Sequence, residues 1–96
     1  MSLTPKQRRY LRSLAHNRKP VVIIGNAGLT PSVVNEIDVS LTRHELIKIK
    51  LNSELRNKHH EEAEKICRQT GSEWVQDIGR ISIIYRPKKD PVIELP

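Results

Sequence analysis

Gly25-Asn26-Ala27-Gly28, followed at once by Leu29-Thr30-Pro31, is where residue type and spacing point most clearly to chemistry. Two glycines three apart let the backbone bend tightly and leave no side chain in the way of an approaching ligand backbone. Thr30 can cap a helix and Pro31 suits its first position. That helix would aim free N–H groups and a partial positive charge at the bend, which favours phosphate. The segment is neither a P-loop nor a dinucleotide fingerprint, because Gly-Lys-Ser/Thr and a third glycine are absent.

A phosphate ligand needs cations, and the chain carries them unevenly. Of 17 Lys+Arg side chains, Lys6, Arg8, Arg9, Arg12, Arg18 and Lys19 fall in residues 1–20, where there is no acid. The other basic residues balance the 11 acidic ones, so the whole net charge of +6 sits in the first fifth of the chain. Such a block on a balanced domain is the footprint of a polyanion site, against the plainer reading of a solubilising face. Those six side chains are expected to hold phosphates. Gly25, Asn26, Ala27 and Gly28 are expected to admit the ligand backbone, as KH domains clamp about four nucleotides with a Gly-x-x-Gly loop. Lys48 and Lys50 would extend the patch. Tyr10, Trp74 and Tyr85 are the only aromatics, too few for a base-stacking platform.

Enzyme chemistry finds little support. No serine stands in a Gly-x-Ser-x-Gly setting. Cys67 falls on the inner side of a helix, the place of a packed thiol rather than a nucleophile. His59 and His60 are adjacent on that helix and point about 100° apart. His60 with Glu64 is an i, i+4 surface pair that no third ligand completes, so neither a metal nor any other cofactor is expected. One cysteine excludes an internal disulfide. No apolar run approaches the roughly 18 residues of a membrane span, and MSLTPKQRRY lacks the apolar stretch of a secretory signal. The expectation is a single cytoplasmic domain over residues 1–96, monomeric and without a membrane partner.

The elements that would position these residues follow from periodicity. Residues 4–17 read as an amphipathic helix opened by a Thr4–Gln7 capping box, with Gln7, Tyr10, Leu11 and Leu14 inward and Arg8, Arg9, Arg12 and His16 opposite. Val21–Ile24 reads as a short strand buried on both faces. A second helix runs from Thr30 to about Thr42. Residues 44–51 form a strand with Ile47, Ile49 and Leu51 on one face and Lys48 and Lys50 on the other, a pattern that suggests helices on one side only. Residues 57–70 form a third helix stopped by Gly71. Residues 74–78 and 81–85 form a hairpin through Gly79-Arg80, and residues 86–96 form a tail whose Val92, Ile93 and Leu95 can dock. The order α-β-α-β-α-β-β makes a two-layer α/β sandwich with a mixed sheet.

Several phrases together carry a resemblance: Leu3-Thr4-Pro5-Lys6-Gln7, Leu14-Ala15-His16, Lys19-Pro20-Val21-Val22, Gly25 to Thr30, His44 to Lys50 and Tyr85-Arg86-Pro87. Over essentially its whole length the chain resembles the stand-alone bacterial proteins of the CRM domain (named for chloroplast RNA splicing and ribosome maturation), which are YhbY-like. The resemblance implies a fold like the C-terminal domain of translation initiation factor 3, with sheet order 1-2-4-3. It also implies RNA binding through the Gly-x-x-Gly loop and nearby basic surface, and association with precursors of the large ribosomal subunit. The charge beside the loop is expected from Arg18, Lys19 and the first helix. The alternative is an adaptor docking on ribosomal proteins without direct RNA recognition.

Overall fold

In the computed structural model, which describes residues 2–25, 27–51 and 58–96, the first helix starts where its cap residues dictate. Thr4 Oγ1 accepts the Gln7 N–H at 3.1 Å, and Gln7 Oε1 accepts the Thr4 N–H at 3.0 Å. This closed capping box leads into α1 (Pro5–Ala15). The chain continues through β1 (Val22–Ile24), α2 (Pro31–His44), β2 (Leu46–Leu51), α3 (His59–Thr70), β3 (Glu73–Ile78) and β4 (Ile81–Tyr85). The expected start of the third helix, at Asn57, lies outside the described residues.

The four strands form one mixed sheet in the order β1-β2-β4-β3, with β1 and β2 parallel and the other pairs antiparallel. This is the α/β architecture and the strand order expected. Alternation along β2 and β4 sends side chains to two cores. Ile47, Ile49, Leu51 and Ile84 meet Val22, Ile24, Ile37, Leu41 and Ile66, which places α2 and α3 on one face. Leu46, Ile83 and Tyr85 meet Leu3, Leu11, Ala15 and Val75 on the other face, which α1 covers. The sheet therefore carries helices on both sides, not on one.

α1 packs against β3, β2 and β4 and leaves β1 uncovered. Val21–Ile24, expected to be buried on both faces, is instead an edge strand buried on one. Ile23 is 65% exposed and Val21 44% exposed. Boundaries also move: α1 stops at Ala15 rather than residue 17, and β2 starts at Leu46 rather than His44. The α2 helix runs on to His44, because no glycine stops it and the turn comes only at Glu45, with φ 61 and ψ −48. Gly71 ends α3 in the left-handed conformation, as its position suggested. In the tail, Ile93 and Leu95 pack on the α1-side core, while Val92 remains exposed.

Candidate nucleic-acid interface

The loop after β1 is closed by a turn: the Gly28 N–H donates to the Gly25 carbonyl at 3.0 Å. Gly28 then sits at φ +75, and its carbonyl accepts the Thr30 N–H at 3.1 Å. Thr30 Oγ1 accepts the Val33 N–H at 3.2 Å, capping α2, whose first turn carries no acid to offset its positive end. The two glycines differ. At Gly28 the left-handed backbone itself calls for glycine. Gly25 has no such φ, and a Cβ there would meet nothing within 4 Å among the described residues. The fold thus leaves the absence of a side chain at Gly25 unexplained. Ala27 is exposed, and Asn26 lies outside the described residues. A cavity of about 160 Å³ adjoins the loop, with Ile24, Leu29 and Ile66 as apolar lining and Glu62 and Lys65 beside Gly28.

On α1, Lys6, Arg9 and Arg12 are exposed and make no ion pair with any described residue. Arg8 does not join them. Its guanidinium lies 5.7 Å from the Trp74 ring centre and its Nε donates to the Trp74 carbonyl at 3.4 Å. The expectation that Arg8 faces outward is corrected by this cation–π contact, which draws the long side chain back onto β3.

The remaining cations separate into two neighbourhoods. Arg18 Nη1 donates to the Leu46 carbonyl at 2.7 Å, and Lys48 Nζ donates to the His16 carbonyl at 3.1 Å. Both are thereby tied to the end of the sheet where β1 and β2 begin, with Lys19 alongside. The Gly25–Gly28 loop leaves the opposite end. At about 3.3 Å per residue, Leu46 to Leu51 alone spans roughly 16 Å. Arg18 and Lys19 are thus too far away to supply the charge beside the loop. Lys50 stands closer, on the same face as its register partner Ile23, and Lys65 comes to the loop from α3 on the opposite face. Lys65 was missed because it arrives from α3, far along the sequence. Between α1 and the sheet, Arg12, His16 and Lys48 line a cleft of about 390 Å³, which joins the helix cations to the strand.

Comparison with known proteins now bears on this surface. The family model of the CRS1/YhbY (CRM) domain matches residues 3–86. The chain belongs to the CRM domain family. It is 41% identical over 95 residues to a Haemophilus influenzae protein named an RNA-binding protein, covering 99% of this chain and 96% of that one. It is 34% identical to YqeI of Bacillus subtilis, named a probable RNA-binding protein, covering 98% and 99%. A solution structure of a Staphylococcus aureus protein superposes with a TM-score of 0.87 at 44% identity, covering 98% of this chain and 99% of that one.

Away from the basic surface, this CRM domain holds a polar cluster on β3. Asp77 accepts from Trp74 Nε1 at 3.0 Å and from Ser82 Oγ at 2.7 Å, and its other oxygen lies 3.0 Å from His60 Nδ1. Burial alone would raise the Asp77 carboxyl, but these three hydrogen bonds outweigh it and hold the group below its usual range. The same bond to Asp77, aided by Glu64 at 3.0 Å from Nε2, raises His60 against the opposing effect of desolvation. The cluster ties α3 to the hairpin. Burial pushes the Cys67 thiol up, in keeping with a packed side chain. Among the described residues no helix is long and apolar enough to cross a membrane, and no group of three side chains could hold a metal.

Proposed function

We propose that this CRM domain is a non-enzymatic RNA-binding protein that assists assembly of the large ribosomal subunit. In this reading Lys6, Arg9, Arg12, Arg18 and Lys19 take phosphates, Gly25 to Gly28 admit a stretch of RNA backbone at the α2 N-terminus, and Lys48 and Lys50 join the two. The observation that carries it is the exposed row of cations on α1, Lys6, Arg9 and Arg12, which make no ion pair with a described residue. A cluster of like charges without carboxylate partners works against the compact state and is matched by a polyanion. Family membership and relatives named for RNA binding support RNA as that polyanion. The scarcity of aromatics favours backbone contacts over base stacking.

The test is nuclease treatment of a cell extract followed by sedimentation. A protein held by rRNA leaves the large-subunit particle fraction when RNA is digested. Retention in that fraction, on ribosomal proteins that survive digestion, would favour the adaptor reading instead.

A further inference from the structure

The end of the sheet opposite the Gly25–Gly28 loop carries a groove of about 420 Å³. Segments distant in sequence build it: the α1–β1 connection, the end of α2, the start of β2 and the C-terminal tail. Arg18, Lys19, Arg43, Lys48 and Lys88 all line it, and none of the five makes an ion pair with a described residue. Arg18 and Lys48 are held in place, but by the backbone carbonyls of Leu46 and His16. A carbonyl orders a cation without neutralising it, so the positive charge stays available and is pre-organised.

The tail that brings Lys88 is also fastened. Glu45 is 1% exposed, sits at φ 61, and accepts the Val92 N–H at 2.7 Å and the Ile93 N–H at 3.3 Å through Oε1. Its Oε2 has no hydrogen-bond partner among the described residues. A buried carboxylate on a strained backbone is costly and persists where the surroundings over-determine it. Here it straps the tail across the groove. Glu45 also lines the groove, but it makes no ion pair with any of the five cations.

We infer that this groove is a second RNA-backbone site, separate from the Gly25–Gly28 loop, in which Arg43 and Lys88 complete a phosphate-binding set with Arg18, Lys19 and Lys48. Glu45 is its positioning residue. The inference rests on the RNA-binding reading but adds a site about 16 Å or more from the loop along β2. The domain would then grip RNA at both ends of its sheet.

The test compares the parent protein, R43E/K88E and the loop variant G28D on one single-stranded RNA of about 20 nucleotides, by amide NMR shifts and by affinity against salt. In the parent, RNA should shift amides both in residues 27–30 and in residues 43–47 and 88–93. R43E/K88E should lose the groove shifts and flatten the slope of log affinity on log salt by about 1.4, two contacts at roughly 0.7 each. G28D should keep the groove shifts. Should charge reversal disturb folding, R43A/K88A serves with the same expected slope change. RNA shifts confined to α1 and the loop, or an unchanged slope in a folded groove variant, overturn the second site and leave the RNA-binding reading standing. No RNA binding by the parent overturns both.

Discussion

Replacing Gly25 by Ala separates a glycine kept for the fold from one kept for a ligand. The Gly25 backbone is outside the left-handed region and a Cβ there meets no described atom within 4 Å, so the substitution adds neither strain nor clash. Stability should hold or rise by about 0.4–1 kcal/mol, because alanine narrows the unfolded ensemble. For a domain of this size that is a rise of up to roughly 4–8 °C in Tm. RNA affinity should move the other way. Pro31 has no N–H and those of Val33 and Val34 go to Thr30, so if an RNA backbone passes close enough to bond the Ser32 N–H, a methyl group in its path loses one charge-assisted hydrogen bond, about 1.5–3 kcal/mol. That corresponds to roughly 10- to 100-fold in Kd. Thermal unfolding by circular dichroism and fluorescence anisotropy with an rRNA fragment read the two effects separately. A variant at least as stable as the parent that binds RNA within twofold of it would refute a close backbone approach at Gly25. The glycine would then belong to a turn only.

Other outcomes follow from the same geometry. Gly28→Ala should cost about 1 kcal/mol in urea unfolding, since φ +75 strains any side chain even where space is open, and Gly28→Asn should cost less. Arg9→Glu and Arg12→Glu should each reduce the salt slope of duplex RNA binding by roughly 0.9 while moving stability by no more than about 0.5 kcal/mol. Arg8→Ala should behave in reverse, losing about 1 kcal/mol of stability with the Trp74 contact and little of the slope. Because Asp77 raises the His60 pKa on folding, that pair's stabilisation is complete below the unfolded value near 6.5 and fades as pH rises through the higher folded one. Asp77, held low, contributes above its unfolded value near 3.8 and loses its contribution as pH falls through its folded one. Denaturant midpoints taken between pH 5.5 and 8 should therefore decline less in His60→Gln than in the parent.

What the sequence disclosed and what it withheld divide along the range of the interactions. The Thr4–Gln7 box, the Thr30 cap, the Gly71 stop and the alternation of Ile47, Ile49 and Leu51 against Lys48 and Lys50 are local, and each stands where spacing put it. Val21–Ile24 misled because an apolar run does not say whether a strand is central or at an edge; the uncovered position of β1 decided that. Arg8 looked like its neighbours Arg9 and Arg12 until Trp74, brought up on β3, supplied an aromatic face. The loop itself was legible, but its nearby cations were not, since Lys65 reaches it from α3 and Arg18 is tethered to Leu46 at the other end of β2. The groove had no local signal at all: Arg18, Arg43 and Lys88 meet only through the parallel pairing of β1 with β2 and the strap from Glu45 to the tail.

The most direct measurement of the central claim is ultraviolet crosslinking in living cells, with sequencing of the attached RNA and mass spectrometry of the attached peptides. Large-subunit rRNA should be enriched, with crosslinked peptides from α1, the Gly25–Gly28 loop or the groove. RNA fragments distributed without preference for large-subunit rRNA, or crosslinks confined to the α2–α3 face, would contradict that claim.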